Sequence, residues 1–150
     1  MIAAILSIIG FYEVVLCHSP VTIHLGDWVH SEVLTVSWSL TFDTLSMSII
    51  TTVLIISSLV HLYSIDYMSS DPHNQRFFSY LSLFTFFMVL LVSGDNYFVL
   101  FVGWEFIAVC SYLLINFWFT VIEANKSAMQ SFIVNLSLIH ISEPTRLRRI

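Results

Sequence analysis

Hydrophobic residues in this chain come in long runs that short polar segments interrupt, and the runs carry more information than any single motif. Ile2–Leu16 is apolar but short and broken by Glu13. Leu45–Ile65 is rich in Ile, Leu and Val with Ser and Thr scattered through it, and Phe77–Val92 is dense in Phe. Tyr97–Phe119 is the longest of the runs. A helix rises about 1.5 Å per residue, so a run of roughly 20 apolar residues crosses the hydrocarbon layer of a bilayer. These patterns predict an all-α polytopic membrane protein with about four transmembrane helices, spans at 2–16, 45–65, 77–92 and 97–119, and the start of a fifth helix near Glu123. The first span reads as a helix whose beginning is missing.

The segments between the runs predict the connections. His18–Asp43 is long and mixed, and the alternation Val33-Leu34-Thr35-Val36-Ser37-Trp38-Ser39-Leu40 predicts a short strand or hairpin at the surface. Asp66–Arg76 is a polar turn, and Ser93-Gly94-Asp95-Asn96 is short enough to force adjacent antiparallel helices. Asp95 and Asn96 are expected to cap the helix that begins at Tyr97, and Asp43 to cap the helix before it.

Composition agrees with the membrane reading. The chain is 57% hydrophobic and only 10% charged, with a mean hydropathy of +0.87, far from the averages of water-soluble domains. A formal charge of −5 excludes a basic nucleic-acid surface, and no Lys/Arg cluster lies outside the last few residues. Cys17 and Cys110 fall in separate apolar runs without metal or redox spacing, and both read as buried filler. His18, His24 and His30 recur at a six-residue interval that suits no ligand pair, so no metal site is read there. The chain has no Gly-rich phosphate loop, CxxC set or nucleophile triad, so it carries no redox centre of its own. Arg76 and Lys126 fall at one end of the helical arrangement, and the opposite loop carries Asp27, Glu32 and Asp43. The positive-inside rule then turns the Arg76/Lys126 end toward the cytoplasm or mitochondrial matrix.

One residue stands out. Glu105 is the only acidic or basic side chain in the 23 residues of Tyr97–Phe119, eight residues in from Tyr97. A carboxylate at that depth is costly unless protonated, paired or hydrated, which makes a functional role the default. At 100° per residue Tyr112 and Asn116 each fall about 20° from Glu105, giving a polar stripe on an apolar helix. Ala108 leaves room beside the carboxyl for water or another helix. Such a stripe suits a proton path, with a titratable group and neighbours that donate and accept. His61, near the end of its span with Ser57, Ser58 and Ser64 about it, is a second proton-translocation candidate. Lys126 is a third, against the plainer role of an interfacial anchor.

Motifs from Leu59 to Lys126 are collinear with a known family. They include His61-Leu62-Tyr63-Ser64, Asp71-Pro72-His73, Arg76-Phe77, Gly94-Asp95-Asn96, Gly103-Trp104-Glu105, Ser111-Tyr112-Leu113-Leu114-Ile115-Asn116-Phe117-Trp118 and Ala124-Asn125-Lys126. With weaker similarity upstream at Phe11-Tyr12-Glu13-Val14 and Phe42-Asp43-Thr44-Leu45, nearly all of residues 1–135 resembles the chain 5 family of the proton-pumping mitochondrial NADH:ubiquinone oxidoreductase, complex I. The resemblance implies an antiporter-like bundle of two inverted five-helix repeats, in the mitochondrial inner membrane, bound to other membrane-arm subunits. It implies that NADH, FMN, iron–sulfur clusters and ubiquinone are used by other subunits, with no cofactor in this chain. It also implies that Glu105 belongs to a proton half-channel whose lysine partner lies two spans further on. Here the chain begins within what resembles the second family helix and ends before that lysine. Val121 and Glu123 replace the family's usual Arg and Gln, which puts in doubt a salt bridge at position 121. Ala108 replaces a usual Gly. A cation/proton antiporter of the same fold, or a structural membrane fragment, are the rival classes.

The last residues differ in character. Leu136–Arg146 resembles the translation of a transposase-type sequencing adapter, and Pro144 is expected to interrupt any helix there. The expectation is that residues 136–150 are a non-native tail; without them two basic and nine acidic residues remain, a formal charge of −7.

Overall fold

The computed structural model describes residues 1–30 and 35–147. Within these, five helices and one hairpin follow in order: α1 Ile2–Phe11, extended by a π-helical stretch Tyr12–Leu16; β1 Val21–His30; β2 Thr35–Phe42; α2 Thr44–Tyr67; α3 Asn74–Ser93; α4 Tyr97–Ile115; and α5 Ile122–Leu147. At 24, 20 and 19 residues, α2, α3 and α4 are long and apolar enough to cross a membrane. Ile2–Leu16 is apolar but shorter, so three helices rather than four reach spanning length among the described residues.

Each spanning helix carries Ser or Thr, and many of their hydroxyls bond back to the preceding turn. Ser48 donates to the Thr44 carbonyl at 2.7 Å, Ser64 to Val60 at 2.7 Å and Ser93 to Val89 at 2.8 Å. Hydroxyls returned to the backbone leave no donor stranded in hydrocarbon.

Packing is sequential. α1 lies on α2, where the Thr51 hydroxyl donates to the Ser7 carbonyl at 3.2 Å and Val14, Met47 and Ile50 form a small core. α2 packs on α3, α3 on α4, and α4 on α5. The Phe87 and Phe106 rings stack across α3 and α4 with centroids 4.6 Å apart. Large apolar side chains such as Ile56, Leu59, Phe86 and Phe101 remain exposed around the outside. In water such a surface would be untenable; in a bilayer it is the solvated face.

The hairpin expected between α1 and α2 is longer than the alternation alone predicts. β1 and β2 pair antiparallel from Val21↔Phe42 to His30↔Thr35, with register shifts between His24 and Gly26 and between Asp27 and Val29. Val33 and Leu34, where the predicted alternation began, lie outside the described residues. The hairpin sits over the α3–α4 turn, where Leu40 bridges Gly94.

Two cap expectations have different outcomes. Asp43 is the N-cap of α2, with its backbone N–H donating to the Ser46 hydroxyl at 2.7 Å. Asn96 is the N-cap of α4 by position, but neither it nor Asp95 makes a side-chain cap bond. Both side chains turn instead to β2: Ser39 donates to the Asp95 carboxylate at 2.8 Å, and the Asn96 amide donates to the Ser37 carbonyl at 2.7 Å. The strand satisfies them, so the helix end does without.

Two further expectations are corrected. α4 ends at Ile115, four residues before the apolar run does, with Asn116 as its C-cap and Asn116–Thr120 in a turn. α5 continues through Pro144 to Leu147. Pro144 falls in the final turn, where it leaves the carbonyl four residues back without its N–H donor.

Candidate functional site

α4 presents two unlike faces. Val99, Gly103 and Cys110 are buried, and a Cβ placed on Gly103 would meet the Leu91 Cα at 2.9 Å. That face therefore fits directly against the backbone of α3. Glu105 lies 200° around the helix from Gly103, away from this contact. Tyr112, 20° from Glu105, packs its ring on Phe132 of α5 with centroids 5.6 Å apart. The Glu105 stripe therefore belongs to the α5 side of α4.

Glu105 is half-buried, and its Oε1 is enclosed without a hydrogen-bond partner among the described residues. Asn116 Oδ1 is in the same condition, as is Asn74 Oδ1. A buried oxygen without a partner costs about 1–3 kcal/mol, more if charged. Glu105 is eight residues from Tyr97 and ten from Ile115, about 12 and 15 Å from the two ends of α4. The carboxyl therefore stands near the middle of the span, with one of its two oxygens enclosed and without a partner among the described residues.

Asn116 is not within the helix. It is the C-cap residue, with φ −84° and ψ 18°, and its N–H still bonds the Tyr112 carbonyl at 2.9 Å. The stripe thus runs from Glu105 to Tyr112 and finishes at the helix end on Asn116.

His61 is elsewhere. It lies on α2, and α3 stands between α2 and α4, so His61 and Glu105 do not meet. Around His61 the structure gathers Ser57, Ser82 and Thr85. The sequence pattern joins Ser57 to His61 within one helix but does not point to Ser82 or Thr85. Both pairs are about one helical turn apart, but only the antiparallel packing of α2 on α3 sets them together, and local sequence pattern carries no signal of it. Lys126 is exposed near the start of α5. The buried side of α5 runs through Ala128 toward α4, and Lys126 lies about 160° from the centre of that side. It therefore faces away from Glu105.

Among the described residues α4 places a half-buried carboxyl near the middle of an apolar span, and the family model matching this region makes it an antiporter-like membrane domain. Residues 94–138 match the family model described as NADH:quinone oxidoreductase/Mrp antiporter, TM, and residues 28–78 match that of the NADH-Ubiquinone oxidoreductase (complex I), chain 5 N-terminus. The chain belongs to the NADH-ubiquinone oxidoreductase chain 5 family. It is 62% identical over 133 residues to the chain 5 of Mycosarcoma maydis, covering 89% of this chain and 20% of that one. To the chain 5 of Cryptococcus neoformans var. grubii it is 62% identical over 135 residues, 90% of this chain and 20% of the relative. To that of Rhizopus stolonifer it is 57% identical over 135 residues, 90% and 21% respectively. The chain thus spans about a fifth of the length of the curated relatives it matches.

Proposed function

We infer that this chain is part of a proton-translocating membrane-arm subunit of the respiratory NADH:ubiquinone oxidoreductase in the mitochondrial inner membrane. In that reading electron transfer from NADH to quinone takes place in other subunits, with their FMN and iron–sulfur clusters, and drives proton movement here. The observation that carries it is the enclosed, unpartnered Oε1 of Glu105 in the middle of α4.

Such a carboxyl is suited to loading and unloading. An acid oxygen without a fixed hydrogen-bond partner is free to take up and give up a partner, as a relay group must. Tyr112 and Asn116 continue the polar face toward one end of the helix. A hydroxyl both donates and accepts, which a relay needs. Lys126, exposed on the far side of α5, would act in this scheme on protons at the membrane surface rather than on Glu105 itself.

A cation/proton antiporter is the second reading, since the model matching residues 94–138 spans both classes. The match of residues 28–78 to the complex I model favours the respiratory assignment. The test is Glu105→Gln in the full-length subunit within the assembled complex. Loss of proton pumping by at least about tenfold, with normal assembly and partial retention in Glu105→Asp, is the expected result. Undiminished pumping by Glu105→Gln would end the proposal.

A further inference from the structure

Ser57 and His61 stand one turn apart on α2, and the antiparallel α3 brings Ser82 and Thr85 against them. His61 Nδ1 is 2.7 Å from the Ser57 carbonyl oxygen. A carbonyl only accepts, so Nδ1 carries the hydrogen, and in the neutral ring Nε2 keeps its lone pair. Nε2 faces the Ser82 hydroxyl at 3.3 Å. On the other side of the ring, Ser57 Oγ lies 3.3 Å from Nδ1 and 2.8 Å from Thr85 Oγ1. Thr85 donates its own hydrogen to the Leu81 carbonyl at 2.9 Å.

These bonds fix a single direction of donation. Thr85 gives to Leu81, so Ser57 gives to Thr85 and leaves its oxygen open toward Nδ1–H. Ser82 gives to Nε2. When Nε2 takes a proton, only the Ser82 hydroxyl turns, from donor to acceptor, while every other bond stays as it is. Both protonation states are therefore hydrogen-bonded without displacement of a heavy atom.

The cluster also borders open space. Ser57, His61, Ser82 and Thr85 line a cavity of about 440 Å³ between α1, α2 and α3, with Leu54 and Phe86 among its apolar walls. His61 is the only lining residue with a titratable side chain. It lies six residues from Tyr67, about 9 Å from that end of α2, on the opposite side of α3 from the α4 helix that carries Glu105.

We propose that His61 is a second proton-holding station, in which Nε2 takes the proton while Ser82 and Thr85 act as positioning residues. Its proton comes from a hydronium in the cavity: the new N–H bond forms on the Nε2 lone pair, an O–H bond breaks, and imidazolium and water result. Release is the reverse. The station rests on the proton-translocation reading above but is independent of Glu105 in its geometry.

The test uses the full-length subunit in the assembled complex, measuring protons pumped per NADH oxidised together with assembly. His61→Gln and Thr85→Val each lower that ratio at least about threefold, the size expected for a lost hydrogen bond. Thr85→Ser, which keeps the hydroxyl and discards the methyl, restores it. Equal losses in Thr85→Val and Thr85→Ser would show a packing role and overturn the station, as would a normal ratio in His61→Gln. If His61→Gln fails to assemble, Ser82→Ala against Ser82→Thr decides the matter by the same logic. Glu105→Gln, measured alongside, separates the two ideas. Loss there with normal pumping in His61→Gln removes the station alone, and the opposite pattern removes the Glu105 reading alone.

Discussion

Gly103 and Leu91 bring the backbones of α4 and α3 into direct contact: a Cβ at position 103 would stand 2.9 Å from both Cα and Cβ of Leu91. The obstacle is partly main chain, which cannot swing aside as a side-chain tip would. Gly103→Ala is therefore expected to push the helices apart and lower stability by about 1–3 kcal/mol, the range for overpacking. The gain of up to about 1 kcal/mol in helix propensity offsets only part of this. Thermal unfolding in detergent or lipid checks it, and an unchanged midpoint would show that the α3–α4 contact yields easily.

The α3–α4 turn holds the hairpin through side chains as well as through backbone bonding, the Asp95 N–H to Ser39 carbonyl bond and the Leu40–Gly94 bridge. Ser39 donates to Asp95 at 2.8 Å, and the Asn96 amide reaches the Ser37 carbonyl at 2.7 Å. Asp95 is exposed while Ser39 is buried, so Asp95→Ala is expected to cost roughly 1 kcal/mol, toward the low end for a bond to a charged group. Hydrogen exchange at the amides of Val36–Leu40 should quicken relative to those of α2. Equal protection in both proteins would show that the strand pairing alone holds the hairpin.

Tyr112 separates ring from hydroxyl. Its ring packs on Phe132, so Tyr112→Phe keeps that contact and leaves assembly intact. A hydroxyl with a relay role is worth about 1 kcal/mol, and its removal should slow proton pumping several-fold. Pumping at the original rate would confine the proton path to Glu105.

Lys126 is expected to matter little for folding. It is exposed on the face of α5 turned from α4, so Lys126→Gln should change stability by no more than about 0.5 kcal/mol. A large drop in the thermal midpoint would reveal a packing role that its position does not suggest.

Hydropathy made α2, α3 and α4 legible because a lipid-facing helix has to be apolar over most of its surface. It overran at the end of α4, since Phe117, Trp118 and Phe119 stay apolar in a turn; hydropathy reports the solvent, not the backbone. Local pattern makes Asp95 and Asn96 look like caps because it cannot show a strand some 56 residues earlier offering better partners. The Glu105 stripe was legible because it follows helical spacing within one element. Ser82 and Thr85 were not, because hydroxyls in a span usually bond their own backbone, and only the pairing of α2 with α3 sets these two beside His61.

Difference infrared spectroscopy of the assembled complex, with and without NADH turnover, tests the proton-loading role of Glu105 most directly. A protonated carboxyl has a carbonyl stretch that ionisation removes. The account predicts a carboxyl signal that changes on turnover in the wild type and is absent in Glu105→Gln, with assembly unchanged. The same signal persisting at full size in Glu105→Gln would contradict it.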